Sequence, residues 1–216
     1  MTQHTRPAYE YAYVNADEIH HHRYLMVPLL KILNSVQSQH STKLKILDLG
    51  CGNGYLSNWL AQQGHQVVGV ESSASGVTFA CENFPNCHFI QASIYDLPLP
   101  ELGDQFDVVL SAEVIEHLLY PKELVRAAKK CLKPNGRLII TTPYHGYIKN
   151  LVLALLGKMD QHLNPLWDGG HIKFFSVATL QELLISEGYR DLKFSFSGRS
   201  PYLWKTMLCS SCSQCN

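Results

Sequence analysis

The run Lys45-Ile-Leu-Asp48-Leu-Gly50-Cys51-Gly52-Asn-Gly54 sets one carboxylate and three glycines at alternate positions, after an apolar stretch and before a helical one. Glycines allow a tight turn there and let a ligand reach main-chain atoms that a side chain would screen. A nucleotide-like ligand belongs at such a turn. Dinucleotide sites use Gly-x-Gly-x-x-Gly to bring a pyrophosphate onto a helix N-terminus. The spacing here is different, and the anionic Asp48 would repel a pyrophosphate while suiting a ligand that carries an ammonium group. A nicotinamide site and a purely structural turn stand as the alternatives.

A second set of chemical groups lies farther on, in Ser111-Ala112-Glu113-Val-Ile-Glu116-His117. If a helix begins near Glu113, then Glu113, Glu116 and His117 fall at i, i+3 and i+4 and share one face. Carboxylates and an imidazole converging on one point suit a divalent metal, which wants a further ligand from elsewhere. His171, behind Gly169 and Gly170, offers one, and flexible glycines would let it swing over the site. Taken singly, each residue reads equally as a solvated acid or an ordinary loop histidine.

The elements that must position these groups follow from apolar patterning. Leu44–Leu49, Gln66–Glu71, His88–Gln91, Phe106–Leu110 and Arg137–Thr142 are apolar runs that do not alternate, so they read as strands covered on both faces. Helical periodicity fills Tyr55–Gln63, Ser72–Asn83 and Pro121–Leu132 between them, and Val177–Glu187 later, which predicts a doubly wound α/β sheet. Asp17–Leu33 reads as an amphipathic helix within an N-terminal cap over residues 1–40. Residues 144–171 read as a lid-like insertion carrying His145, the apolar stretch Leu151–Leu156 and Trp167. Asp191–Phe196 and Tyr202–Leu208 are the last predicted strands, around the turn Ser197-Gly-Arg-Ser-Pro201.

The Asp48–Gly54 run resembles motif I of the class I S-adenosylmethionine-dependent methyltransferases. That resemblance extends from about residue 43 onward and implies a Rossmann-like single domain with a mostly parallel seven-stranded sheet and helices on both faces. It implies that Asp48 holds the methionine ammonium, directly or through water, and that Gly50, Cys51, Gly52 and Gly54 form the turn under the donor. Glu71, ending strand two, matches the acid that binds the ribose, with Ser72 beside it. Gln91-Ala-Ser93-Ile94-Tyr-Asp96 matches the adenine loop. The family often has an acid where this chain has Ser93, which leaves Ser93, Asp96 or the main chain to meet the adenine amino group. Ser111 and Ala112 would lie near the sulfonium.

The Glu-x-x-Glu-His run with a distant His is similar to a subgroup that includes the ubiquinone-biosynthesis O-methyltransferases and the small-RNA 3′-terminal 2′-O-methyltransferases. The resemblance implies a divalent cation, Mg²⁺ or another ion, on Glu113, Glu116, His117 and His171. His117, His171 or the lid residue His145 would then serve the proton transfer. Metal-independent N- or C-methylation and a non-catalytic binding module are the competing readings.

Eighteen Lys plus Arg balance eighteen Asp plus Glu among the 216 residues, so no global field draws in a polyanion. This argues against the RNA branch and for a small acceptor, and the apolar lid with Tyr144 and Tyr147 favours an aromatic or lipid-like one. Apolar residues make up 46% of the chain, enough for a core. No run approaches the roughly 18 apolar residues that suggest a membrane span, and the start of the chain lacks the pattern of a secretory signal, so a cytoplasmic enzyme is expected, with peripheral membrane contact only through the lid. The seven cysteines are expected as reduced thiols. Cys209, Cys212 and Cys215 read as a frayed, exposed tail or half of a zinc site. His20, His21 and His22 are consecutive, so they point in different directions and cannot all meet one ion.

Overall fold

The computed structural model describes residues 10–20 and 22–213. The five apolar runs form β1 (Lys45–Leu49), β2 (Gln66–Glu71), β3 (His88–Gln91), β4 (Phe106–Ala112) and β5 (Leu132–Pro143), each parallel to its neighbour. β6 (Arg190–Ser197) and β7 (Thr206–Cys212) complete a seven-stranded sheet of order β3-β2-β1-β4-β5-β7-β6. Strand order reverses direction between β1 and β4. At that switch point the loops leaving the two strands part and open a crevice beyond their carboxyl ends.

Both faces of the sheet are covered. Leu47, Leu49, Val109, Leu138, Ile140 and Met207 pack on one side with Leu124 and Val125 of α5 (Pro121–Cys131) and Leu180 and Leu184 of α8 (Val177–Ser186). Ile46, Val108, Ile139 and Leu208 pack on the other with α1 (His22–Gln37) and α2 (Tyr55–Gln62). The alternation of neighbours between the faces explains why the strands carry apolar residues continuously. Leu25, Leu29 and Leu33 of α1 recur every fourth residue and are at most 1% exposed, each burial stabilising by about 2 kcal/mol. α3 (Ala74–Asn83) is capped by Ser73, whose hydroxyl accepts from the Gly76 N–H at 3.1 Å. α4 (Leu99–Leu102), α6 (Tyr147–Leu155) and α7 (Met159–His162) are short.

Two elements, the N-terminal helix and the last strand, differ from the sequence reading. α1 starts at His22 rather than Asp17, because His22 Nδ1 accepts the Ile19 N–H at 3.1 Å and closes the turn there. Residues 10–17 are instead irregular chain laid across the carboxyl end of the sheet. His22 is buried and stacked on Tyr55 at 5.1 Å, whereas His20 is exposed and meets Tyr24, so these two do not form a metal tract; His21 lies outside the described residues.

The other difference is the C-terminal segment. The last strand is Thr206–Cys212 and not Tyr202–Leu208, and it runs antiparallel between β5 and β6, with Arg137 opposite Cys212 and Pro143 opposite Thr206. Cys209 and Cys212 are therefore buried in the sheet rather than exposed in a frayed tail. They stand three apart on a strand and face opposite sides, so they cannot share a metal. Cys215 lies outside the described residues. The six described cysteines are free thiols.

Candidate functional site

Main-chain geometry makes the donor side. Gly50, Gly52 and Gly54 all take positive φ, at 80°, 57° and 79°. A Cβ on Gly50 would lie 2.5 Å from Val114 Cγ2, so only glycine lets the β1 turn and the β4 turn approach. Gly50 and Cys51 both donate their N–H to Val70 O, at 2.7 and 3.0 Å, which pins the turn to β2. The Cys51 side chain turns down against Ala80 and Phe89, and burial pushes its thiol pKa up.

Asp48 ends 1% exposed beneath this turn. Its Oδ2 accepts from Ser57 Oγ at 2.6 Å, while Oδ1 is buried with no hydrogen-bond partner among the described residues. Burial raises its pKa to about 7, with the nearby Glu71 adding to the shift and the Ser57 bond opposing it. Glu71, also buried, accepts from Gly52 N–H at 2.9 Å through Oε2 and from Ser73 N–H and Ser72 Oγ, at 2.9 and 3.1 Å, through Oε1. It ties the glycine turn to α3 before any ligand arrives. The Ser93 hydroxyl accepts from Tyr95 N–H at 3.2 Å and the Ser93 carbonyl from Asp96 N–H at 3.0 Å, so this loop is a closed turn with Ile94 at its bend. Ser111 is fully buried, and its hydroxyl donates to Leu49 O at 3.0 Å, joining β4 to β1 rather than facing the crevice. Ala112 ends β4 beside it.

The expected helix carrying Glu113, Glu116 and His117 does not form. Glu113 takes φ 56°, in the left-handed region, and only a 3-10 turn follows over Ile115–His117. The turn leaves Glu113 outside the grouping that Glu116 and His117 join, though within electrostatic reach of Glu116. Its Oε1 accepts from Thr141 Oγ1 and Thr206 Oγ1, at 2.8 and 2.7 Å. Glu116, His117 and His171 do come together, with one donor atom of each within 4.8 Å of the others. The Glu116 carbonyl accepts the N–H groups of both Ile172 and Lys173 at 2.9 Å, which holds His171 against it.

Burial and hydrogen bonding leave donor atoms of this trio facing one another. Glu116 is 0% exposed; Oε2 accepts from Thr142 Oγ1 at 3.0 Å, but Oε1 has no partner among the described residues and stands 4.0 Å from His171 Nε2. Burial, and then Glu113, push the Glu116 carboxyl pKa well above the usual carboxylate range, and burial raises that of Glu113. His117 Nδ1 lies 2.7 Å from Gly169 O and 3.2 Å from Gly170 O, so it carries the proton and leaves Nε2 as the acceptor. Burial lowers both imidazoles, His171 to about 4 with His117 contributing, so both are neutral at pH 7.

His145 stands apart from the trio. It is buried beside His162 and Phe174, with ring centres 5.5 and 5.1 Å away, and burial followed by Lys149 lowers it to about 4. α6 inverts the usual pattern: Lys149 is its buried residue, donating to Tyr144 O at 2.7 Å, while Leu151, Leu155 and Leu156 are 44, 77 and 62% exposed. The apolar stretch thus faces outward rather than lining an enclosed cavity. Trp167 does reach the trio, its ring 5.4 Å from His171 and 5.9 Å from His117.

Sequence reasoning missed Ser57, Thr141, Thr142 and Thr206. A signal existed for the first three: Ser57 interrupts a buried helix face between Leu56 and Leu60, and two threonines end the apolar run of β5. Thr206 gives none, because pairing with β5 and not a local pattern sets where its strand begins.

Strand order, glycine turn and a switch-point acid pair together define a nucleoside-binding crevice of the class I methyltransferase type. Residues 19–193 match the family model described as a methyltransferase domain, and the chain belongs to this family, among the S-adenosylmethionine-dependent methyltransferases of class I. It is 34% identical over 165 residues to a ubiquinone biosynthesis O-methyltransferase of Rickettsia akari, covering 72% of this chain and 62% of that one. It is 30% identical over 151 residues to a Mycobacterium tuberculosis protein named "Probable S-adenosylmethionine-dependent methyltransferase", covering 70% of this chain and 50% of that one. The chain thus spans about half to three fifths of the length of these relatives. The magnesium protoporphyrin IX methyltransferase of Synechocystis, solved with bound SAH, shares the fold at TM-score 0.64 and 18% identity, covering 86% of this chain and 81% of that one. The YcgJ protein of Bacillus does so at TM-score 0.64 and 18% identity over 91% of this chain and all of that one. Among the described residues no helix is long and apolar enough to cross a membrane.

Proposed function

We propose that the protein transfers a methyl group from S-adenosylmethionine to an oxygen of a small aromatic, phenolic or otherwise hydroxylated acceptor, with a divalent cation on Glu116, His117 and His171. The observation that carries this is the buried, unpartnered Oε1 of Glu116 between two neutral imidazoles. A carboxylate stripped of water and left unpaired is costly, and a cation offsets that cost. The proton that His117 holds on Nδ1 through the Gly169 and Gly170 carbonyls is the arrangement by which a ligand imidazole is oriented. Two nitrogens and one oxygen suit Zn²⁺, Mn²⁺ or Fe²⁺ better than Mg²⁺, which favours oxygen donors.

The sulfonium of the donor supplies an electrophilic methyl group, and a bound divalent cation lowers the pKa of a neighbouring hydroxyl. The chain's own groups do the rest. Asp48 Oδ1, buried and unpaired, receives the donor's ammonium directly or through water. Glu71 Oε2, which accepts only the Gly52 N–H, has a lone pair left over for a ribose hydroxyl, and the glycine turn supports the amino-acid half. Holding donor and acceptor oxygen in line contributes several kcal/mol, up to about 7 to 11 in ideal cases. His145, neutral at pH 7 and in electrostatic reach of His171, is an imidazole outside the trio that can accept the acceptor's proton. The exposed leucines of α6, with Trp167, give an apolar or lipid-like acceptor a face to rest on.

Turnover on a panel of catechols and phenols, with and without a chelator, tests the proposal. Methylated product that disappears with chelator is expected. Undiminished turnover in chelator would remove the cation and leave metal-independent transfer. Donor binding with no transfer to any acceptor would favour a non-catalytic module.

A further inference from the structure

The donor crevice has one component that neither the sequence patterns nor the family match assigns, a strap formed by residues 10–17. Hydrogen bonds fasten it to the residues that form the crevice. Glu10 Oε1 accepts the Ala74 N–H at 2.6 Å, and Tyr11 O accepts from Ser73 Oγ at 2.6 Å. Tyr13 N–H donates to Ser75 Oγ at 3.0 Å, and Asn53 Nδ2 donates to Asn15 O and Asp17 O, at 3.1 and 2.9 Å. Ser73 and Asn53 belong to the two turns that hold Glu71 and the glycines, so the strap spans from one wall of the crevice to the other.

Tyr13 is the strap's half-buried side chain, while Val14 beside it is 84% exposed. Its ring lies on Gly52 and Gly76: a Cβ on Gly52 would sit 2.6 Å from the phenol oxygen, and one on Gly76 would sit 3.0 Å from the ring. Burial and the carboxylate of Glu71 keep the phenol protonated. The ring and its protonated hydroxyl thus lie against the glycine turn, in the field of Glu71, whose carboxylate is assigned to the ribose.

We propose that Tyr13 is a donor-positioning residue which covers the ribose of the bound donor, and that the strap must open for donor to enter and product to leave. This rests on the S-adenosylmethionine assignment and not on the cation. Since a strap over the ribose contacts the nucleoside half, it treats ligands with and without the amino-acid half alike.

The test is the affinity and dissociation rate of S-adenosylhomocysteine and of methylthioadenosine, which lacks the amino-acid half, for the full chain. With Tyr13→Ala, both dissociation constants should rise about tenfold, with correspondingly faster dissociation. Tyr13→Phe keeps the ring and should stay within about threefold. Ser75→Ala removes a half-buried hydroxyl that anchors the strap and leaves the apolar core intact, so it should fold and should speed dissociation a few fold even if Tyr13→Ala does not fold. Unchanged rates in Ser75→Ala and in a folded Tyr13→Ala would overturn the proposal, as would a loss confined to S-adenosylhomocysteine. Failure of the wild-type chain to bind either ligand would instead overturn the donor assignment itself.

Discussion

Glu116 Oε1 faces His171 Nε2 across 4.0 Å in a fully buried setting, and no hydrogen-bond partner among the described residues relieves it. The carboxyl pKa is raised, so its contribution to stability is fully present below its unfolded value, about pH 4, and is lost as pH rises through the higher folded value. In metal-stripped protein, Glu116→Gln should therefore raise the melting temperature relative to wild type, by an increment that grows from pH 5 to pH 8. Thermal melts across that range check it, and an increment independent of pH would contradict it.

Asp48 gives a second pH dependence, on binding. Its pKa of about 7 in the ligand-free protein means that an ammonium-bearing ligand binds the ionised form and releases a proton. Affinity for S-adenosylhomocysteine should climb as pH rises from 6 to 8, whereas affinity for methylthioadenosine should not. Asp48→Asn should flatten the profile and weaken S-adenosylhomocysteine about tenfold or more. Calorimetric titration in buffers of different ionisation heat measures both the affinity and the proton released.

Thr206 and Thr141 share Glu113 Oε1, at 2.7 and 2.8 Å. Thr206→Val removes one donor from a carboxylate that has little water to replace it, and should cost about 1 to 3 kcal/mol in urea unfolding. Thr206→Ser should restore most of that. Equal stability of the Val and Ser variants would show that the bond is not needed.

Gly170 holds His117 through its carbonyl, and a Cβ there would lie 2.8 Å from Trp167 O. Gly170→Ala should shift the loop, loosen the imidazole and weaken divalent-ion binding by about 10- to 100-fold. Donor affinity should stay unchanged, since the donor residues belong to other turns. Parallel titrations with Mn²⁺ and S-adenosylhomocysteine separate the two effects.

The parallel strands and the glycine turn were legible because both rest on local patterns. Apolar runs such as Lys45–Leu49 and Gln66–Glu71 are continuous, and the Gly50–Gly54 spacing has few other uses. What failed depended on long-range pairing. Only Met207 and Leu208 of Thr206–Cys212 are large and apolar, and the partners that define the strand come from β5, 63 or more residues away. The face shared by Glu113, Glu116 and His117 was inferred from helical spacing, but a left-handed Glu113 stabilised by Thr206 breaks the helix there. His171 was found because two glycines precede it. Tyr13 left no trace in the sequence, because its role comes only from how residues 10–17 lie across the turn.

The direct test of a cation on Glu116, His117 and His171 is the metal content of the purified full chain, loaded with Zn²⁺ or Mn²⁺ and exchanged into metal-free buffer. Wild type should retain about one equivalent, and Glu116→Gln and His171→Ala under a tenth of that, with both variants binding S-adenosylhomocysteine normally. Equal retention by all three proteins, or none by any, would contradict it.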